Sequence, residues 1–211
     1  MGNFIYIMGK SASGKDTISH LIKVKLNLEN YVMYTTRPMR AGEQEGQDYF
    51  FTTEEKIEEF RNKGKVIESR TYQTMHGPWT YATINDEQLQ SDKDIIGLGT
   101  LESYRSVREY FLRNGKNNLL PVYIEVDEEE RRKRAIKREK QQQSPKWEEM
   151  ERRLIADNID FSEEKLRAAG IKEGQRFKNY NLDACVDEII NYIKEREVKW
   201  QETEETKEEQ R

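Results

Sequence analysis

The chain has 211 residues, 36% charged and 35% hydrophobic, with a formal net charge of −4. A chain of this length can bury one globular core without disulfides or metals. Its slight acidic excess excludes a general affinity for nucleic acid polymers, so any phosphate site has to come from local basic clusters.

Met1-Gly2-Asn3 leads into residues 4–8 (FIYIM), an apolar run of strand length that is too short for a signal peptide or a membrane span. No membrane partner and a cytoplasmic location are therefore expected. A glycine loop follows, then Lys15 begins a helix to Leu26 with Ile18, Leu21 and Ile22 at helical spacing. Residues 31–34 (YVMY) predict a second short strand, residues 35–48 a polar loop punctuated by Pro38, Gly42 and Gly46, and residues 49–51 a return to strand. Thr52 and Thr53 predict a cap for a helix over residues 54–61, with Ile57 and Phe60 on one side. Residues 66–68 and 81–84 predict strands, and the intervening residues 69–80, which contain Gly77-Pro78, predict a turn.

Further on, residues 94–98 (DIIGL) predict a strand and residues 101–114 a helix. Residues 119–126 predict a strand with its proline near an end. Residues 127–165 are highly charged and mostly helical, interrupted by the QQQSP of residues 141–145. Val186, Ile189, Ile190 and Ile193 share one face of an amphipathic helix over residues 183–195. Cys185, the single cysteine, falls in that stretch and predicts a buried structural thiol. Residues 197–211 predict a frayed or disordered tail. Strands alternating with helices behind a glycine loop predict an α/β fold, a parallel sheet with helices on both faces, and residues 31–85 form a strand-rich insertion.

Gly9-x4-Gly14-Lys15 is a P-loop pattern between a strand and a helix, and it predicts a nucleoside triphosphate site. Backbone N–H groups of Ser11, Ala12, Ser13 and Gly14 can curl round phosphate oxygens, and the helix N-terminus adds open donors. Lys15 supplies a point charge to the β- and γ-phosphates. Where the pattern usually has Ser or Thr after the lysine, this chain has Asp16, followed by Thr17. A carboxylate there repels a triphosphate unless a cation intervenes, so Asp16 is the expected Mg²⁺ ligand, directly or through water, and Thr17 a phosphate donor.

The segment TTRPMRAGEQEGQDYFF, residues 35–51, resembles the guanylate kinase family, in which TTRxxRxGExxGxDYxF follows the P-loop helix and begins the GMP-binding insertion. The resemblance continues in the order of elements along most of the chain. It implies a P-loop NTPase fold of three α/β/α layers, with core residues 1–30, 86–126 and 166–196, a nucleoside monophosphate-binding insertion at residues 31–85 and a helical lid at residues 127–165. Arg37 and Arg40 can fork a phosphate bidentately and Tyr49 adds a phenolic donor, while Glu43 falls inside the same motif. Guanine presents adjacent N1–H and N2–H donors that one carboxylate accepts, and Glu68 falls where the family has that carboxylate. The family's Tyr-Gly-Ser matches Tyr81-Ala82-Thr83, which places Tyr81 on the phosphate and Thr83 on the base. About four extra residues separate Glu68 from Tyr81, and His76 in that stretch is expected to be a loop residue. The acidic residues that the family carries after the next strand are missing, because this chain has Gly97-Leu98-Gly99-Thr100.

The resemblance also assigns Arg134, Arg138 and Arg153 to the lid, as contacts of the transferring phosphoryl group, and Asn179 to the vicinity of the adenine of ATP. Together these imply ATP and Mg²⁺, GMP or dGMP as acceptor, and a monomer or homodimer. Two other readings share part of the pattern. A P-loop kinase with a phosphorylated sugar acceptor, similar to ribose bisphosphate phosphokinase, shares the Gly-Lys-Asp loop and is not expected to keep the arginine–tyrosine segment. A non-catalytic guanylate kinase-like domain that binds phosphopeptides shares that segment and typically lacks the P-loop lysine and the lid arginines.

Overall fold

The computed structural model describes residues 2–74 and 77–208, with side chains in the final helix described as far as Arg196. His76 and residues 209–211 lie outside the described residues. The strands are β1 (Phe4–Gly9), β2 (Glu29–Asn30), β3 (Tyr34–Thr35), β4 (Phe50–Phe51), β5 (Val66–Thr74), β6 (Gly77–Ile84), β7 (Ile95–Gly99), β8 (Leu119–Glu125) and β9 (Arg176–Lys178). The α-helices are α1 (Lys15–Leu26), α2 (Glu54–Asn62), α3 (Leu101–Arg113), α4 (Glu128–Lys140), α5 (Trp147–Asp160), α6 (Glu163–Ala168) and α7 (Leu182–Glu208). This is the expected α/β fold, with parallel strand pairs among the helices.

By internal contacts the chain divides into two compact units, Met1–Tyr6 with Leu28–Leu119 and Ile7–Asn27 with Leu120–Arg211. In the first unit β2 pairs parallel with β7, and a second sheet runs β4-β3-β6-β5. β5 and β6 form an antiparallel hairpin in which Glu68 faces Thr83 and Arg70 faces Tyr81. Partners in register share a face and side chains alternate along each strand, so Glu68, Arg70, Tyr81 and Thr83 project from one face of the hairpin. A register shift between Val66 and Glu68 sets that phase. Thr53 caps α2 through a hydrogen bond from the Lys56 N–H, and Ile57 is buried with Ala82 and Ile84.

In the second unit β8 pairs parallel with β9, and α7 buries Cys185, Val186, Ile189, Ile190 and Ile193 at helical spacing. α1 buries Ile18 and Ile22, whereas Leu21 is only half-buried. No helix among the described residues is long and apolar enough to cross a membrane.

Two sequence expectations change, and two features lie beyond them. Residues 31–33 are not a strand: the Val32 backbone N–H and carbonyl are both met by the Gln88 side chain, and the Tyr31 hydroxyl takes both backbone groups of Ile84. Residues 69–80 are not one long turn, because β5 runs on to Thr74 and β6 begins at Gly77. α7 continues to Glu208, into the residues expected to form a frayed helix or a disordered tail, and residues 209–211 of that expectation lie outside the described residues. β9 is a strand of three residues that the sequence pattern did not announce.

Candidate active site

In the second unit β1 ends at Gly9 and the glycine loop turns directly into α1. Gly14 is the N-cap, with φ of 89°, a left-handed conformation in which a side chain is strained. An added Cβ would also lie 2.6 Å from the Asn179 amide nitrogen. No side chain among the described residues caps α1, so the N–H groups of Lys15, Asp16 and Thr17 open its N-terminus to an anion. The Ser13 hydroxyl is buried and has no hydrogen-bond partner among the described residues. Ala12 adopts a positive φ of 62° as the loop curls. Among the described residues the Lys15 ammonium pairs with Asp16 alone, at 3.9 Å, and Asp16 is 73% exposed. Thr17 is exposed beside it.

The loop is braced from behind by Arg131, a residue the sequence did not single out. Its side chain is fully buried and pairs with Asp157 at 3.0 Å and Glu128 at 2.7 Å. It also donates to the Leu154 carbonyl and to Asn158. Asp157 accepts the Ser11 N–H at 2.7 Å, and Asn158 accepts the Lys10 ammonium at 2.8 Å. Ser11, expected to offer its N–H to phosphate, therefore gives it to Asp157. Burial, with Arg131 nearby, lowers the pKa of Lys10.

Asn179 donates its amide to the Ser13 carbonyl at 2.8 Å, so it holds the loop's backbone. Arg134 donates to the Asn179 carbonyl at 2.9 Å and to Glu130. Arg138 and Arg153 come together with Ser11, Glu139, Lys146 and Glu149 around a cleft of about 180 Å³, which Arg134 does not line. Arg152 and Arg153 together hold the Glu149 carboxyl down to a pKa of about 2.

In the first unit Arg37 is 3% exposed and makes a two-pronged pair with Glu43, at 2.8 Å and 3.0 Å. Glu43 also accepts the Arg40 backbone N–H, while the Arg40 side chain is exposed. The Arg37 guanidinium lies 5.4 Å from the Tyr49 ring centre, and the Tyr49 and Tyr81 rings are 5.7 Å apart. Burial raises the Tyr49 pKa, so the phenol stays a neutral donor. The predicted Arg37, Glu43, Tyr49 and Tyr81 thus converge, with Glu43 filling the guanidinium fork as an intramolecular anion. Glu68 and Thr83 meet separately. The Glu68 carboxylate accepts from Thr83 at 2.9 Å, Ser103 at 2.6 Å and Arg70 at 3.1 Å. Ser103 and Arg70 were missed: Ser103 had no motif to mark it, and Arg70 was read as part of a turn.

A sequence model of the guanylate kinase family matches residues 1–164. The chain belongs to the guanylate kinase family. Among curated relatives, the guanylate kinase of Mycoplasma mobile is 29% identical over 206 residues, covering 92% of this chain and 92% of that one. The guanylate kinase of Coxiella burnetii is 28% identical over 196 residues, covering 90% and 86%. The crystal structure of guanylate kinase from Anaplasma phagocytophilum superposes with a TM-score of 0.58 at 18% identity, covering 92% of this chain and 86% of that one, a likeness of fold. Guanylate kinases are nucleoside monophosphate kinases, and this member carries both the glycine loop with Lys15 and the Arg37–Tyr49–Tyr81 cluster.

Proposed function

We propose that the chain transfers the γ-phosphoryl group of ATP to GMP or dGMP, giving ADP and the nucleoside diphosphate. The observation that carries this reading is the convergence of Arg37, Tyr49 and Tyr81 in a protein that also keeps an uncapped helix N-terminus beside an uncommitted Lys15. An oxygen of the acceptor phosphate attacks the γ-phosphorus in line, and the bond from that phosphorus to the β–γ bridging oxygen breaks. No side chain need become covalently attached, so positioning and charge neutralisation carry the catalysis.

Arg37, Arg40, Tyr49 and Tyr81 would hold the acceptor phosphate, with Glu43 orienting Arg37, and Glu68 and Thr83 would face the base. The α1 N-terminus, Ser13 and Lys15 would hold the donor's phosphates. Residues 127–165 would act as the lid, bringing Arg138 and Arg153 to the transferring group, with Arg134 and Asn179 bracing the loop. A Mg²⁺ ion fits the donor set present: it is commonly held by one or two carboxylates together with substrate phosphates. Here that carboxylate would be Asp16, which is exposed and, among the described residues, unpaired apart from the Lys15 approach, with Thr17 alongside. When bound, the ion supplies neutralisation of charge on the phosphates.

Coupled ADP release measured across GMP, dGMP, AMP, UMP, CMP and a ribose bisphosphate tests the assignment. Acceleration by GMP and dGMP is expected. Acceleration by the sugar phosphate alone would replace the assignment, and acceleration by none would end it.

A further inference from the structure

The residues around Glu68 carry more information than a lone carboxylate. Its Oε1 already accepts Ser103 at 2.6 Å and Thr83 at 2.9 Å, and Oε2 accepts the Arg70 Nε–H at 3.1 Å. A carboxylate has about four acceptor positions, so one strong position, on Oε2, is left. Arg70 also reaches Oε1, at 3.5 Å, and donates to the Thr100 hydroxyl at 2.8 Å. Of its five N–H bonds, about two remain uncommitted among the described residues. Guanine's N1–H and N2–H together ask for two adjacent acceptors, and the cluster offers one acceptor beside one cationic donor.

No further carboxylate can be fitted where Gly97 and Gly99 stand. A Cβ on Gly97 would lie 2.7 Å from the Phe4 ring, and one on Gly99 would lie 1.9 Å from the Tyr6 hydroxyl. Both rings are buried and packed in an aromatic group with Tyr31, Tyr104 and Phe111. The space that an acidic side chain needs is filled by phenyl and phenol. The Tyr6 pKa is raised by burial, so it adds no negative charge.

Taking the acceptor to be a purine monophosphate, as proposed above, we infer that Arg70 completes the base pocket in place of an acidic residue, so that the pocket reads the N–H/C=O lactam edge shared by guanine and hypoxanthine and is indifferent to the 2-amino group. Glu68 Oε2 accepts N1–H, and Arg70 donates to the neighbouring O6 carbonyl. Adenine reverses both partners and is refused. A pocket built around the 2-amino group rejects an analogue without it by roughly 10⁴-fold, whereas this pocket has no acceptor set aside for that group.

The test is the ratio of kcat/KM for GMP to that for inosine monophosphate, with AMP as control, in the wild-type protein and in Arg70→Ala. The expected wild-type ratio is within about tenfold, with AMP at least about a hundredfold below both. In R70A the lone pairs of Glu68 are released, and the ratio should move toward GMP by more than about tenfold. If R70A melts early, Arg70→Gln, which keeps much of the side chain's length, gives the same comparison. A wild-type preference for GMP beyond tenfold, AMP used as well as the other two, or a ratio unchanged by the Arg70 variants would each overturn the inference while leaving the kinase assignment intact. Activity with neither GMP nor inosine monophosphate would overturn the kinase assignment, and this inference with it.

Discussion

Arg131→Met tests whether the glycine loop is held in shape by a buried ionic clamp. Methionine keeps most of the side-chain volume and removes the guanidinium. Asp157, itself only 17% exposed, would retain the Ser11 N–H as partner and lose its cation. Breaking a buried pair by deleting one partner costs roughly 3–5 kcal/mol. The Arg131 Nε is buried without a partner among the described residues, which lowers the native clamp's net worth. Glu128 is about half exposed and can turn to water. The lower end, about 3 kcal/mol, is therefore expected. At about 2–4 °C per kcal/mol for a chain of this size, the melting temperature should fall by roughly 6–12 °C. Differential scanning calorimetry reads this directly, and titration with a non-hydrolysable ATP analogue should show weaker binding as Asp157 and Asn158, which hold Ser11 and Lys10, lose the guanidinium that fixes them. Replacing Asp157 by Asn in the same background should recover part of the loss, because the uncompensated charge is then gone. A melting temperature within about 2 °C of wild type would refute the clamp.

Four further outcomes follow from the same contacts. Lys15→Met should leave the melting temperature unchanged and cut turnover by about 10²–10³-fold, because Lys15 makes no hydrogen bond among the described residues and is available to the transferring phosphoryl group; a near-normal rate would contradict its role. Arg37→Lys keeps the charge and loses the two-pronged geometry, so acceptor kcat/KM should fall by about 10–100-fold, and a change under twofold would count against a bidentate phosphate contact. Gly99→Ala should destabilise by about 1–3 kcal/mol, read from the urea midpoint, since its Cβ meets Tyr6; no shift would mean the aromatic group yields freely. Burial pushes the Cys185 thiol up to about 11, so iodoacetamide should label it at pH 8 only after unfolding in urea. The fold favours the neutral thiol. Its contribution is therefore full below the ordinary thiol value of about 9 and is lost as pH rises from there through about 11. Prompt native labelling would contradict the burial.

Local signals were legible where backbone chemistry and side-chain period agree. α1 begins where the glycine loop ends and closes at Leu26, and Thr53 caps α2, because each boundary is written in residues that only suit that place. The inward face of α7 followed from its apolar spacing. The hairpin of β5 and β6 was hidden because Gly77-Pro78 marks residues 69–80 as a turn. In the fold Gly77, with φ of 100°, only opens the second strand. That misreading concealed Arg70, which shares a face with Glu68 only if the strand continues. Arg131 was illegible for a different reason. It stands in a run of arginines and lysines whose neighbours are exposed, and the partners that bury it, Asp157 and Asn158, arrive from α5. The emptiness at Gly97 and Gly99 was visible in the sequence, but its cause was not, since the rings of Phe4 and Tyr6 come from a distant strand.

The proposed transfer moves a phosphoryl group from ATP to GMP. Phosphorus NMR of the protein with ATP, GMP and Mg²⁺ follows every phosphorus in the reaction. Signals of ADP and GDP growing together in equal amounts, with no inorganic phosphate and no growth when GMP is omitted, are predicted. ATP that persists unchanged, or that yields inorganic phosphate with GMP left intact, would contradict the account.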